Sequence, residues 1–252
     1  MKTRLDKLLV DRGLTPSRER AQALILAGKV LVNEQKIEKA GASIDSEATL
    51  RLLGEDLRYV SRGGLKLEKA LEHWRINLEG KVCLDVGAST GGFSDCMLQH
   101  GAAKVIAVDT GYGQMDFGLR NDSRMRLLEK TNARYLESDA IGEPIDFIAM
   151  DVSFISATLV LPAVIRATSA ATHRPGEIVV LVKPQFEVGR ELVGKGGIVR
   201  DEAAQRAAVA RVEAAILELG CTHPEWIQSP ILGGEGNREF LLHGEFSTPV
   251  VG

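Results

Sequence analysis

The stretch Val82-Cys83-Leu84-Asp85-Val86-Gly87-Ala88-Ser89-Thr90-Gly91-Gly92-Phe93-Ser94 constrains this chain more than any other. A β-branched run ends on an acid, three small residues separate Gly87 from Gly91, and an amphipathic pattern starts at Phe93. That order predicts a strand, a tight loop and a helix. In open α/β sheets, ligands bind at the carboxyl ends of the strands, and glycines in such a loop let a ligand come close to the backbone. The stretch therefore predicts a cradle for a cofactor.

Charge says which cofactor. Phosphate-binding loops rest their ligand on bare amides, with G-x-G-x-x-G or G-K-[ST] spacing. This loop has neither spacing, and Asp85 and Asp95 flank it. Two carboxylates repel a pyrophosphate but tolerate S-adenosyl-L-methionine, which carries a sulfonium and an ammonium. The next predicted strand, Lys104-Val105-Ile106-Ala107-Val108-Asp109, ends on an acid about 20 residues after the glycines, where a ribose-binding carboxylate belongs. The expected cofactor is S-adenosyl-L-methionine, held by Asp85, Gly87, Ser89, Gly91, Gly92, Phe93, Asp109 and Asp139.

With 252 residues the chain has room for one full α/β domain and something smaller. No apolar run approaches the roughly 20 residues of a membrane span; Ile178 to Val182 is five. Met1-Lys2-Thr3-Arg4-Leu5-Asp6 has no apolar core of a signal peptide, so a cytoplasmic location is expected. Cys83, Cys96 and Cys221 are widely spaced and suggest neither a disulfide framework nor a metal site. The net charge of −3 is unevenly shared: residues 1–75 carry 15 Lys and Arg against 11 Asp and Glu, net +4, which leaves −7 for the remainder. The basic end is the expected nucleic-acid contact.

Leu5, Leu8 and Leu9, then Ala21, Leu24 and Ile25, fall at helical spacing and predict two short helices between Leu5 and Gly28. The break Gly13-Leu14-Thr15-Pro16-Ser17-Arg18 supplies a glycine stop and a serine cap. Arg18 and Arg20 fall in the second helix's first turn, where the helix dipole disfavours cations, so a binding role is expected for them. Residues 28–33 and 48–52 predict short strands, and the polar, glycine-containing stretch 60–64 predicts a joint between domains. A helix over 65–71 follows. Strands are then expected over 145–151 and 177–183, with a last pair near Trp226 and over 239–243; this alternation predicts a doubly wound, mostly parallel sheet. The glycine-rich segment 184–200 reads equally as a lid over a substrate and as a long surface loop.

Working groups in α/β enzymes cluster at strand ends, and Asp109, Asp151 and Lys183 each end a predicted strand. If the last strand runs antiparallel, Glu239 reaches the same edge, and Lys66 can arrive from the helix before the first strand. Methyl transfer to a ribose hydroxyl needs an in-line alcohol and a proton acceptor. A lysine takes that role when a second lysine lowers its pKa by repulsion, with carboxylates positioning the pair.

Two resemblances add to this reading. Leu5, Asp6, Leu8, Leu9, Val10, Gly13, Leu14, Ser17, Arg18, Ala21, Leu24, Ile25, Gly28, Val30, Val32 and Asn33 resemble the S4-like RNA-binding module. That implies a small α+β domain over residues 1–59 and an RNA face of Arg4, Arg18, Arg20 and Lys29, extended by Arg62. Ser61-Arg62-Gly63-Gly64-x-Lys66, the glycine loop, Asp109-x-Gly111-Tyr112-Gly113-Gln114, Asp151-Val152-Ser153-Phe154 and Lys183-Pro184-Gln185-Phe186-Glu187 resemble the TlyA (hemolysin A) family. Residues 65–252 are similar to FtsJ-type ribose 2′-O-methyltransferases with a Rossmann-like sheet. The Lys-Asp-Lys-Glu tetrad of those enzymes falls on Lys66, Asp151, Lys183 and Glu239, and the resemblance implies ribosomal RNA or a ribosomal subunit as partner. Two other functions remain to be weighed. The family name implies a membrane-active hemolysin, against which stands the lack of any span or basic amphipathic segment; a non-catalytic RNA-binding assembly factor is disfavoured by the intact tetrad.

Overall fold

The computed structural model describes residues 2–15, 17–53, 58–169, 174–233 and 236–246. The chain divides into two compact units, Met1–Leu57 and Arg58–Gly252.

In the first unit a strand β1 (Lys2–Arg4) leads into helices α1 (Leu5–Asp11) and α2 (Arg18–Leu26), the second capped by Ser17 Oγ, which accepts from the Arg20 amide at 3.2 Å. Pro16, part of the predicted break, lies outside the described residues. The helices meet through Leu5, Leu9, Ala21, Leu24 and Ile25, the apolar positions of the helical pattern. Strands β2 (Val30–Val32) and β3 (Gln35–Lys36) form a hairpin whose two central residues, Asn33 and Glu34, both have positive φ. That twist matches a two-residue hairpin turn, and Glu34 is held there by Arg51, at 3.0 Å from its Nε. β1 pairs with β4 (Ser43–Asp45), and β2 also pairs with β5 (Leu50–Leu52).

The second unit opens with α3 (Gly63–Trp74), so Gly63 and Gly64 lie in a helical turn rather than in a free joint. The residues just before it are equally committed. Tyr59 is fully buried, its hydroxyl bonded to Glu68 at 2.8 Å, and the Val60 amide donates to Asp95 Oδ2 at 2.8 Å. The polarity of 60–64 therefore serves a helix start, and the stretch predicted as a linker belongs to the second unit.

Five parallel strands carry the sheet: β6 (Val82–Val86), β7 (Lys104–Val108), β8 (Met125–Leu128), β9 (Phe147–Met150) and β10 (Glu177–Val182). Two further strands, β11 (Cys221–Gln228) and β12 (Phe240–Phe246), complete the order β11-β12-β10-β9-β6-β7-β8, with β12 antiparallel to both its neighbours. Alternate residues of each strand go to opposite cores because side chains alternate across a sheet. Leu84, Val86, Ile148, Met150, Ile178 and Val180 pack towards α7 (Ala157–Thr168) and α9 (Glu202–Glu218), whereas Cys83, Phe147, Ala149, Val179 and Leu181 pack towards α3 and α4 (Gly92–Gln99). Both faces are covered, as a doubly wound sheet requires. The chain winds outward from β6 to β7 and β8, then returns to lay β9 on the other side of β6. The carboxyl ends of β6 and β9 thus frame a topological switch point, the usual ligand crevice of such sheets.

At the opposite end of the sheet, Glu177 accepts from His243 Nε2 at 3.1 Å and from Lys81 at 3.2 Å, and Trp74 stacks on the His243 ring. The His243 bond, more than the Lys81 charge, holds the Glu177 carboxyl below its ordinary range, against the opposing effect of burial. A carboxyl depressed in the folded state adds stability above its unfolded pKa, and that contribution is lost as pH falls through the acid range. Glu177→Gln should therefore lower the melting temperature at neutral pH and flatten its fall below about pH 4.5, the ordinary glutamate value, in a pH series of thermal melts.

Candidate active site

Three cavities meet at the carboxyl ends of the parallel strands. The first, of about 300 Å³, is lined by Gly87, Ser89, Asp109, Gln114, Asn132, Asp151 and Phe154 among others. The second, of about 250 Å³, lies over the glycine loop between Arg62, Lys66, Gly92, Phe93 and Asp151. The third, of about 420 Å³, is enclosed by Ser153, Phe154, Lys183, Gln185, Phe186, Val193 and Glu239. Asp151 is shared by the first and second, Ser153 and Phe154 by the first and third.

Asp109, just past β7, clasps the glycine loop. Its Oδ2 accepts from the Ser89 amide at 2.8 Å and its Oδ1 from the Gly111 amide at 2.6 Å, leaving the carboxylate fixed at the wall of the first cavity. The expected cofactor residues otherwise divide. Gly87, Ser89, Gly92 and Phe93 line a cavity, whereas Asp85, Gly91 and Asp139 line none of the three. Asp139 is exposed on the short helix α6 (Ser138–Ile141); the polar side chain this region sends to the cavity is Asn132, which no acid-based reading of the sequence singled out.

Asp85 corrects the charge reasoning. It is fully buried within β6, accepts from Ser94 Oγ at 2.6 Å, and leaves Oδ1 without a partner; burial pushes its carboxyl up to about 7. Asp95 is spent on the Val60 amide and on Gln99. The carboxylates that the first cavity meets are instead Asp109 and Asp151. An acidic surround still disfavours phosphate, but it comes from the ends of β7 and β9.

The glycines also make room for neighbouring chain. A Cβ on Gly91 would stand 2.4 Å from Leu119 Cδ1, and one on Gly92 would stand 2.2 Å from Ser61 Oγ and 3.0 Å from the Gly64 amide nitrogen. Gly91 admits neighbouring side chains, and Gly92 admits the turn from Ser61 to Gly64 while also lining the second cavity. Gly87 combines both demands: at φ +88° its Cβ would lie 2.4 Å from the Asp151 carbonyl oxygen, and it also lines two cavities.

The four expected catalytic residues arrive from four places. Lys66 comes from α3, Asp151 from the end of β9, Lys183 from the end of β10, and Glu239 from the residue before the antiparallel β12, whose Phe240 is in register with Val182. They form two ion pairs. Lys66 Nζ donates to Glu239 Oε2 at 2.5 Å, and Lys183 Nζ lies 2.6 Å from Asp151 Oδ1. Each lysine thus has its own carboxylate as an ion-pair partner. Lys183 also donates to Ser153 Oγ at 2.6 Å, a partner absent from the expected set.

A family profile of FtsJ-like methyltransferases matches residues 59–246, and an S4 domain profile matches residues 3–50. The chain is 44% identical to the 16S/23S rRNA (cytidine-2′-O)-methyltransferase TlyA of Mycobacterium tuberculosis, over 96% of this chain and 89% of that protein. The chain belongs to the TlyA family. Hemolysin A of Brachyspira hyodysenteriae is 40% identical, over 95% of this chain and 98% of its own length. A solved structure of a hemolysin-named protein from Streptococcus thermophilus superposes with a TM-score of 0.73 at 44% identity, covering 98% of this chain and 90% of that one. The candidate site just described lies within the FtsJ-like methyltransferase domain, which the S4 domain precedes in the chain. Among the described residues, no helix is long and apolar enough to cross a membrane.

In the S4 domain, Asp6 organises the expected RNA face. Its fully buried carboxylate accepts from Arg4 Nε at 3.0 Å, from Gln22 at 2.8 Å and from Arg18 at 3.2 Å, and the Arg4 bond holds it well below the usual carboxylate range. The side chains of Arg4 and Arg18 stay about half exposed at 53% and 51%. Lys29 is half-buried, and the Arg20 backbone takes the Ser17 cap. Arg62 belongs to the second unit, where it is exposed and lines the second cavity with Lys66.

The loop geometry predicts a stability effect free of any ligand. Gly87→Ala forces a side chain into the left-handed region and against a main-chain oxygen that cannot move without shifting β9, so unfolding in denaturant should reveal a loss of about 1–3 kcal/mol or more.

Proposed function

We propose that this protein transfers the methyl group of S-adenosyl-L-methionine to a ribose 2′-hydroxyl of ribosomal RNA. The observation that carries the reading is the convergence of Lys66, Asp151, Lys183 and Glu239 as two ion pairs where the three cavities meet. It is supported by membership of the TlyA family, whose Mycobacterium tuberculosis relative is named as an rRNA cytidine-2′-O-methyltransferase.

The residues present suit such a cofactor. The first cavity is acidic rather than amide-lined, and it offers a fixed carboxylate, Asp109, for a ribose diol, with Asn132 and Gln114 as further polar contacts. Asp151 and the Gly87–Ser89 backbone would face its methionine end. When bound, the cofactor supplies a methyl group made electrophilic by the sulfonium that carries it. The protein's part is to place the ribose hydroxyl in line and to take its proton.

Lys183 is the acceptor in this reading. It ends a strand, is nearly buried at 9% exposure, and opens on the same cavity as Glu239. Lys66 and Glu239, locked to each other, would position the ribose from the other side. The S4 domain would supply affinity through the phosphate backbone, with Arg4 and Arg18 held ready by Asp6.

Four measurements test this. Mapping ribose methylation in rRNA from cells with and without the gene should reveal at least one site that disappears. Lys183→Arg keeps the charge but cannot give up a proton near neutral pH, so methyl transfer should vanish while calorimetry still detects cofactor binding. Asp109→Ala should weaken cofactor binding by roughly 1.5–3 kcal/mol, a charge-assisted bond's worth. For the RNA face, Arg4→Ala combined with Arg18→Ala should lower RNA affinity and flatten its salt dependence by up to about two units of slope; unchanged affinity and slope would move the face elsewhere.

A further inference from the structure

Lys183 Nζ is held by two oxygens of different kinds. Asp151 Oδ1 lies 2.6 Å away, and Ser153 Oγ accepts from the nitrogen at 2.6 Å. A carboxylate carries a charge that draws the ammonium form. A neutral hydroxyl oxygen accepts an N–H from either form, since the free amine still has two. We propose that Ser153 is a positioning residue for the methyl transfer, orienting the Lys183 amine towards the ribose hydroxyl and remaining hydrogen-bonded to it in both protonation states. This deepens the reading of Lys183 as proton acceptor and rests on it.

The geometry of nitrogen makes the case. An amine has four tetrahedral directions, one of them used by its own carbon. Ser153 takes one of the remaining three through its hydrogen bond, Asp151 stands 2.6 Å away as an ion-pair partner whose Oδ1 accepts no hydrogen bond, and Lys183 borders the cavity it shares with Phe186 and Glu239. With the Ser153 oxygen accepting one N–H, rotation of the amine about its own carbon is restrained and the lone pair is left for the ribose hydroxyl. As an oxygen lone pair of the ribose hydroxyl forms the bond to the methyl carbon, the methyl–sulfur bond breaks with its electron pair left on sulfur, and the hydroxyl proton passes to Nζ; the Ser153 oxygen accepts an N–H from Lys183 throughout. No other group need move.

Ser153 is itself fixed from both ends. Upstream, the Asp151 amide donates to the Val86 carbonyl at 2.8 Å. Downstream, Phe154 takes a positive φ of 64°, and Glu187 Oε1 accepts from the Ala157 amide at 2.7 Å while its other oxygen accepts from Ser156 Oγ at 2.5 Å. The loop is clamped between β6 and the turn that follows Lys183. Ser153 itself lies at the shared wall of the first and third cavities, where cofactor and substrate would meet.

The charged groups around Lys183 leave Ser153 as its neutral partner. Asp151 is the paired acid. Glu239 shares the cavity but is bound to Lys66, and Glu187 is committed to Ser156 and Ala157. Asp85 is buried in the neighbouring strand and bonded to Ser94. Each of these acts on Lys183 through charge or is bonded elsewhere, so the Ser153 hydroxyl is the neutral acceptor that the lysine keeps in both protonation states.

The test is the pH dependence of single-turnover methyl transfer by the full-length protein, with labelled S-adenosyl-L-methionine and ribosomal subunits from cells lacking the enzyme. Ser153→Ala should lower the rate at pH 7 by about 10-fold or more, within the range that general-base contributions span. It should also move the apparent pKa of the rate downward, because the lost acceptor favours the ammonium form, so that the loss is greatest at high pH. Cofactor affinity by calorimetry should stay within about 2-fold, and Ser153→Thr, which keeps the hydroxyl, should restore the wild-type profile. A Ser153→Ala enzyme with an unshifted profile, or with a loss equal at every pH, overturns the inference. Lys183→Arg separates the two layers. If it is inactive while Ser153→Ala keeps the wild-type profile, the Ser153 role alone fails; if Lys183→Arg still methylates, the proton-acceptor reading falls and the Ser153 role with it.

Discussion

Gly87 and the Asp151 carbonyl compete for nearly the same space, and the site exists because glycine lets the main chain win. A side chain at position 87 would sit 2.4 Å from that oxygen. The contact lies at the switch point of the sheet, where β6 and β9 run side by side in parallel and the loops beyond them diverge. The loop beginning at Gly87 is also tied to the next strand, since its amide donates to the Val108 carbonyl at 2.9 Å. Three strand ends are thereby drawn together at one point. Asp151 takes its place from that packing, and Lys183 takes its place from Asp151.

The two ion pairs then make bearable the burial of three charges, Lys66, Lys183 and Glu239, with Asp151 partly buried beside them. An isolated ammonium or carboxylate taken out of water costs several kcal/mol, and removing one partner of a buried pair leaves that cost uncompensated, about 3–5 kcal/mol. Lys66 and Glu239 are nearly inaccessible at 10% and 2% side-chain exposure. The pairs add little net stability over apolar residues of the same size. What they add is arrangement: two cations and two anions of zero net charge, each held in place before any ligand arrives. Such preorganisation spares the protein the cost of gathering like-signed groups at the moment of reaction.

The fold was legible in the sequence wherever periodicity was strong. The helices over Leu5–Asp11 and Arg18–Leu26, the strands at Val82, Lys104 and Glu177, and the reversed last strand that brings in Glu239 all follow apolar patterns or strand-end charges. The strand Met125–Leu128 was not singled out, because it lies at the sheet edge and is only half-buried along its length. Charges near the glycine loop misled for a related reason. Asp85 and Asp95 are close to the loop in sequence, but strand alternation turns Asp85 inward and helix rotation turns Asp95 towards Val60. Ser153 was in view as part of a motif without a role, since a serine gains meaning only from the lysine 30 residues away that donates to it. The segment 184–200 has no helical or alternating pattern to read, yet Asn237 holds it by accepting from the Val199 amide and donating to the Gly197 carbonyl.

Asp6 poses the converse problem, an acid placed among the cations of a domain expected to meet a polyanion. On charge alone it should weaken RNA binding. Its carboxylate is fully buried, however, and its bonds run to Arg4, Arg18 and Gln22, while the arginine side chains remain about half exposed. An arginine free in solvent loses up to about 2 kcal/mol of rotamer entropy when it is fixed on a phosphate. A buried anchor incurs that ordering during folding rather than during binding, and it leaves guanidinium N–H groups facing outward. Interior burial separates the acid from the solvent-side phosphates, whereas the guanidinium groups meet them directly. The net charge of −3 therefore says little about affinity for RNA, which depends on which charges are held at the surface and how much of their ordering is already complete.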